Sequence, residues 1–196
     1  MTESGQITIE QIDEQSPHLP TVIALGDAHK KTLSFFPKGA FIEHAARRQI
    51  IVALEPHQTG CIGYLLYKAS HRFKRITILH LCIAPLHRGK GIARKLVNYL
   101  IQISKDYTGI GLTCRRDYNL QDMWSSLGFV AQYDKDAKTP AKENTYWWLD
   151  LGHPNLFSTA AEQRYSKLCV VIDANIFFDL CCSIRVIPCK SFGRSV

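Results

Sequence analysis

The residues whose types and spacing could do chemistry gather in Arg88-Gly89-Lys90-Gly91-Ile92-Ala93. An apolar run, Ile76 to Ala84, precedes them, and an amphipathic stretch, Ile92 to Ile103, follows. That order predicts a strand, a basic glycine-containing turn and a helix. Such a turn aims several backbone N–H groups one way at a helix N-terminus, where the macrodipole also favours an anion. Glycine is needed where the backbone must come close to the ligand, and Arg88 and Lys90 add charge to the amides. The segment is built to hold phosphate.

The elements that must position this turn are readable from periodicity and breakers. Ile7 to Ile12 predicts a short first strand. Thr21 to Leu33 predicts a helix containing Gly26, and Ala40 to Arg47 a second, shorter one. Gln49 to Leu54 and Cys61 to Lys68 read as a hairpin with a longer loop. In the helix after the turn, Ile92, Ala93, Leu96, Val97, Leu100 and Ile101 form one apolar stripe, while Arg94, Lys95, Asn98 and Gln102 take the outer face. Ile110 to Cys114 predicts the next strand. Tyr118 to Leu127 reads as a helix stopped by Gly128, which suits the left-handed position after a helix end. Phe129 to Tyr133 and Thr145 to Leu151 read as the last two strands, around a polar loop from Asp134 to Asn144. After Gly152 the composition shifts, so a main domain over residues 1–152, a linker over 153–168 and a separate segment over 169–196 are expected.

Composition sets the outer bounds. The chain has 196 residues, 46% hydrophobic and 21% charged, an ordinary globular balance. No apolar run approaches the ~18 residues of a membrane-spanning helix, and the N-terminus lacks the basic start and apolar core of a signal peptide. A cytoplasmic location is the expectation. The seven cysteines include no C-x-x-C pair, which argues against a zinc ribbon or a thioredoxin-like site and for reduced, structural thiols. No metal site is expected. The net charge of +7 suits an anionic ligand or a nucleic acid, although the short clusters Arg47-Arg48, Arg72 to Arg75 and Arg115-Arg116 do not make a contiguous stripe. Neither a Walker-type Gly-Lys-Ser/Thr nor a dinucleotide-binding fingerprint is present.

Arg88-x-x-Gly91-x-Ala93, placed after Ile83-Ala84-Pro85, resembles the acyl-CoA pyrophosphate loop of the GNAT N-acetyltransferase family. A second run, Asn119-x-x-x-Met123-Trp124-x-x-Leu127-Gly128-Phe129, is similar to that family's Asn-led helix ending in Gly-Phe. The resemblance covers roughly Ile7 to Gly152. It implies an α/β fold of the GNAT type: a mixed, mostly antiparallel sheet flanked by helices. It also implies acetyl-CoA as cosubstrate and transfer of an acetyl group to an amine, by direct attack in a ternary complex. On this resemblance the backbone of Leu81, Cys82 and Ile83 would bond the pantetheine arm like an added strand, and an N–H near Ile83 would polarise the thioester carbonyl. Arg88, Gly89, Lys90, Gly91, Ile92, Ala93 and Arg94 would carry the pyrophosphate, and Asn119 would bond the pantetheine or thiol end.

The sequence departs from the family where many members carry a tyrosine that protonates the leaving thiolate. Trp124 stands there, and an indole N–H does not ionise usefully. Tyr118 is a substitute acid. His80, beside the cofactor strand, is a candidate base, as is Glu43; a histidine bonded within the sheet is the plainer reading of His80. Cys82 and Cys114 read as strand-core packing. The rival functions are a non-catalytic acyl-CoA-binding module, motivated by Trp124, and an RNA-directed acetyltransferase. The acceptor is a small-molecule or protein amine that the sequence does not identify. Val170-Val171-Ile172-Asp173-Ala174-Asn175-Ile176 resembles the first strand of a PIN-type nuclease domain. With Asp179 as the one later acid, the carboxylates that hard-cation phosphodiester chemistry needs are lacking, and a truncated fragment is the expectation.

Overall fold

The computed structural model describes residues 6–55, 60–136 and 142–152. The linker expected over 153–168 and the PIN-like fragment expected over 169–196 lie outside the described residues.

Seven strands form one sheet: β1 (Thr8–Ile12), β2 (Ile50–Leu54), β3 (Cys61–Ser70), β4 (Arg75–Ile83), β5 (Gly109–Arg115), β6 (Val130–Asp136) and β7 (Glu143–Asp150). Their order across the sheet is β1-β2-β3-β4-β5-β7-β6. Every neighbouring pair is antiparallel except β4 and β5, which are parallel. A parallel pair needs a crossover, and helix α4 (Ile92–Ile103) supplies it. The other helices are α1 (Leu19–Ala28), α2 (Lys30–Leu33), α3 (Lys38–Ala46) and α5 (Gln121–Ser126). The mixed, mostly antiparallel sheet with flanking helices is the architecture expected from the sequence.

Two apolar cores lie on the two faces of the sheet. On one, Ile92, Leu96, Val97 and Leu100 of α4 and Trp124 of α5 pack with Ile51, Leu65, Ile76, Ile78, Ile110 and Leu112. Each fully buried aliphatic side chain there contributes about 1.5–3 kcal/mol. On the other face, Leu19 and Val22 of α1 and Phe41 and Ala45 of α3 pack with Ile50, Val52, Tyr64 and Leu66. Gly26 allows this close approach. A Cβ at that position would sit 2.7 Å from Phe41 Cζ and 2.9 Å from Tyr64 Oη.

Two helices differ from the sequence expectation. The stretch from Thr21 to Leu33 is not one helix: α1 ends at Ala28 and α2 is a four-residue turn beyond His29, whose φ of −109° leaves the helical region. The helix expected over Tyr118 to Leu127 is also shorter. Arg116–Tyr118 is a 3-10 turn, Asn119 has a φ of 51°, and α5 begins only at Gln121. Leu120, Met123, Trp124 and Leu127 do have helical spacing, but Asn is one of the few residues that enters the left-handed region at small cost. It breaks the pattern before the helix starts. No helix among the described residues is long and apolar enough to cross a membrane.

Candidate functional site

The central feature is a divergence of β4 from β5. The two strands pair only at Arg75 with Gly109, Ile76 with Ile110 and Thr77 with Gly111. Beyond that, β4 runs on to Ile83 and β5 to Arg115 without pairing to each other. Among the described residues no strand pairs with the facing edges of 78–83 and 112–115, so backbone groups there, the Ile83 carbonyl apart, can bond an extended ligand in the mode of an added strand.

A bulge in β4 marks the start of the divergence. Leu66 pairs with His80 but Tyr67 with Ile78, so Leu79 is an extra residue. The extra residue re-aims every side chain beyond it. Ile76 and Ile78 face the α4 core, whereas Cys82 joins the α1–α3 core and Leu81 and Ile83 pack towards α4. Leu79 itself stays exposed.

The chain leaves β4 through a 3-10 turn, Pro85–His87, and reaches the basic turn. Gly89 and Gly91 have φ of 76° and 72°, and a Cβ on either would meet nothing within 4 Å. Gly91 is the residue that starts α4, in left-handed conformation, and the Lys95 N–H donates to its carbonyl at 3.1 Å. The N–H groups of Ile92, Ala93 and Arg94 therefore precede the first closed turn and have no intrahelical acceptor. Open space, left-handed glycines and free amides fit a bulky diphosphate. Lys90 and Arg94 are exposed at the same turn. Arg88 is exposed too, and its Nε donates to the Ile83 carbonyl at 3.1 Å, tying the turn back to the end of β4.

The remaining site candidates fall into two groups on opposite sides of the sheet, His80 and Cys82 towards α1 and α3, and Cys114, Tyr118 and Asn119 beside the end of β5. His80 is only 4% exposed and accepts or donates at Nδ1 to the Tyr64 hydroxyl at 3.0 Å. Phe36, Phe41 and Tyr64 surround its ring, with Phe36 at 5.1 Å. Burial lowers its pKa to about 4, against a smaller opposing effect of the Leu33 backbone. His80 is a neutral core histidine on the α1–α3 side of the sheet. Tyr118 sits in the 3-10 turn, not on α5, with the Arg115 guanidinium 4.6 Å from its ring centroid. Asn119 is exposed just beyond it. Glu43 is engaged by Arg47 at 2.6 Å on α3. Cys82 and Cys114 are free thiols. Desolvation pushes Cys82 up to about 11 and raises Cys114 as well, which makes both poor nucleophiles.

Trp124 is 6% exposed and packs edge-on against Phe129 at 5.5 Å. Its Nε1 is buried and, among the described residues, has no partner at normal hydrogen-bond geometry, though it lies close enough to the Cys114 thiol to oppose part of the rise in that group's pKa. It lines a small cavity with Cys114, Leu120, Thr145 and Trp147. No group of three or more His, Cys, Asp or Glu side chains suited to a metal occurs among the described residues. Of the basic clusters, Arg47-Arg48 and Arg115-Arg116 are paired with Glu43, Asp13, Asp117, Asp134 and Glu143. Arg72 and Arg75 instead flank the Phe73 ring at the tip of the β3–β4 hairpin.

Residues 19–129 match the acetyltransferase (GNAT) family. The chain belongs to that family. The fold of this GNAT protein is shared by the ribosomal-protein-S18-alanine N-acetyltransferase of Escherichia coli, with a TM-score of 0.62 and 14% identity over 78% of this chain and 99% of that one. N-acetylglutamate synthase from Neisseria gonorrhoeae, solved with coenzyme A and N-acetyl-glutamate, also gives 0.62, at 13% identity, over 78% of this chain and 37% of the synthase. A chain of the NatC complex bound to Gag peptide and CoA gives 0.62 at 17% identity, over 74% and 98%. At these identities the likeness is one of fold. A search of curated proteins gives no significant match.

Sequence reasoning located the turn but missed three features. The Leu79 bulge and the aromatic surroundings of His80 are set by partners distant in the chain. The left-handed Asn119 belongs to a local turn and carried a local signal, its own residue type.

Proposed function

We propose that the protein transfers an acetyl group from acetyl-CoA to an amine nitrogen, by direct attack within a ternary complex. As a GNAT acetyltransferase it takes acetyl-CoA as cosubstrate. The observation that carries the reading is the coincidence of three backbone devices. The β4–β5 pairing stops at Thr77, a bulge follows at Leu79, and β4 leads into a left-handed helix start at Gly91. An extended arm fits the open edge and a diphosphate fits the turn.

In this reading the backbone of Leu81, Cys82 and Ile83 bonds the pantetheine arm, and an N–H near Ile83 polarises the thioester carbonyl. The segment Arg88 to Arg94 holds the pyrophosphate through amides and positive charge. Asn119, exposed at the mouth of β5, bonds the arm from the other side. His80 takes no proton from the acceptor in this reading: its ring is buried and its Nδ1 is bonded to Tyr64. The proton released from the acceptor then goes to water. Tyr118 lies near the β5 arm but is held over Arg115, which gives it a wall rather than an acid to supply.

The test is acetyl-CoA-dependent thiol release across a panel of amines, beside calorimetric binding of acetyl-CoA. Turnover on any amine that depends on acetyl-CoA supports the reading. Tight binding without turnover on any of them favours a non-catalytic acyl-CoA-binding module. The RNA-directed alternative has less support, because two of its three basic clusters are already neutralised by carboxylates.

A further inference from the structure

Arg72, Lys74 and Arg75 are cations that the fold leaves without a carboxylate. All three are exposed at the tip of the β3–β4 hairpin, and among the described residues none of them joins an ion pair. Asp106, whose charge bears on Tyr107, and Asp150, opposite Gly109, belong to adjoining segments but pair with none of the three. The cations gather around an aromatic ring. Phe73 is 58% exposed, with the Arg72 and Arg75 guanidinium carbons 5.3 and 5.2 Å from its centroid. The neighbouring residue supplies a second flat surface, where the His71 ring meets Tyr107 at 5.8 Å and the Tyr107 hydroxyl lies 3.2 Å from His71 Nδ1. Hydrogen bonds hold the tip in shape. The Lys74 N–H donates to the His71 carbonyl at 3.3 Å, and the Thr108 N–H and hydroxyl both donate to the Lys74 carbonyl, at 2.6 and 2.8 Å. Lys74 has a φ of 47°, a left-handed backbone that glycine or asparagine takes at less cost. A cation thus stands where the turn alone favours glycine.

We propose that this tip binds single-stranded nucleic acid, with Phe73 and the guanidinium planes stacking on bases while Arg72, Lys74 and Arg75 neutralise phosphates. Exposed π faces beside unpaired cations match a ligand that carries both bases and charge. An acidic peptide would satisfy the cations and leave the ring without a partner. A membrane would draw Phe73 into the acyl layer, and the two guanidiniums over the ring would have to follow it at high cost. A duplex keeps its bases stacked on one another, out of reach of a hairpin tip. Arg75 opens β4 and Ile83 closes it, a run of about 26 Å at ~3.3 Å per residue. The tip therefore lies at the far end of β4 from the proposed acyl-CoA turn, and a strand bound there leaves that turn open. The inference adds a partner to the proposed reaction and does not depend on it.

The experiment follows fluorescence anisotropy of labelled oligouridylate and oligothymidylate of about 12 nucleotides, titrated with the full chain over a range of KCl concentrations. Inorganic polyphosphate and vesicles of phosphatidylcholine with phosphatidylserine are measured beside them. The native protein should bind both oligomers, Phe73→Leu should weaken them about tenfold, and Phe73→Tyr should restore the affinity. Replacing Arg72, Lys74 and Arg75 together with glutamine should reduce the slope of log K against log salt by about 2, from three phosphate contacts at about 0.7 each. Melting followed by circular dichroism should stay near the native curve in every variant. Absence of oligomer binding by the native protein overturns the proposal, and so does binding that none of these variants changes. Loss with the triple replacement but not with Phe73→Leu would be charge alone, as for polyphosphate, and overturns it too. Vesicle binding that depends on Phe73, with no oligomer bound, would make the tip a membrane contact instead. Acetyl-CoA binding, measured in parallel, reports on the acyl-CoA reading alone, and its failure leaves this proposal standing.

Discussion

Gly91→Glu tests the cradle without breaking the fold. Gly91 has φ 72° and ψ 10°, and a Cβ there meets nothing within 4 Å. Packing therefore does not oppose the substitution. Its cost to the fold is the left-handed backbone, about 1–2 kcal/mol, which in a chain of this size lowers Tm by roughly 2–8 °C. The effect on the ligand is larger. A carboxylate about 6 Å from a phosphate, at an effective dielectric near 20, repels it by about 3 kcal/mol per charge pair. That predicts acetyl-CoA binding weaker by about a hundredfold. Gly91→Ala keeps the backbone conflict but adds no charge, so its loss should be nearer tenfold. The assay is calorimetry with acetyl-CoA and with acetyl-pantetheine, which lacks the pyrophosphate, after circular dichroism has shown each variant folded. Acetyl-pantetheine should bind all three proteins alike. A folded Gly91→Glu protein that binds acetyl-CoA as tightly as the native one refutes the placement of the pyrophosphate. Equal loss of both ligands refutes it too, since the damage would then not be local to the phosphates.

Arg88→Ala removes both a charge proposed to face the pyrophosphate and the bond to the Ile83 carbonyl; acetyl-CoA affinity should fall tenfold or more while thermal stability falls by about 0.5–1.5 kcal/mol. Gly26→Ala gains up to about 1 kcal/mol of helix propensity but forces a Cβ to 2.7 Å from Phe41, whose ring is fully buried. Overpacking of this kind costs about 1–3 kcal/mol, so a denaturant titration should show net destabilisation, and a rise in midpoint would contradict the packing described. His80 has a folded pKa of about 4 against an ordinary 6.5, so between those values the unfolded chain binds more protons. Its contribution is fully present above pH 6.5 and is lost as pH falls towards 4, by about 3 kcal/mol in all. Replacing His80 with leucine should flatten that part of the stability–pH curve, measured by urea unfolding, and an unchanged slope would place the acid sensitivity elsewhere.

How legible each part was depends on where its information lies. The helix over Ile92 to Ile103 has the bounds read from its stripe, because the stripe, the glycine before it and the face it buries are all local. The β2–β3 hairpin and the antiparallel strands were legible for the same reason. The bulge at Leu79 was not. It exists only in the pairing of β4 with β3, and alternation along Leu79, His80 and Leu81 is silent about a partner's register. His80 shows the consequence. Alternation alone leaves its side of the sheet open, and the bulge turns it into the α1–α3 core. Asn119 failed in the opposite way, since a convincing helical spacing around it outweighed one residue able to turn left-handed.

This division explains why the proposed cofactor site and the acid–base chemistry stand so differently in this chain. The cradle is made of backbone: a strand pair that stops, a bulge that re-aims, and two left-handed glycines before a helix. Glycine and charge announce the turn in sequence, whereas the bulge is silent there. Acid–base roles need one side chain, in one rotamer, with one pKa. Here His80 is neutral and committed to Tyr64, Tyr118 lies over Arg115, and Trp124 cannot ionise. A thioester, with its stable thiolate leaving group, is a substrate for which that arrangement suffices. The reaction then needs a polarised carbonyl more than a strong acid. A rate that changes little with pH above the range where the acceptor amine is already neutral is the corresponding signature. A steep acidic limb owed to a protein group, and removed by Tyr118→Phe, would show that a side-chain acid is at work.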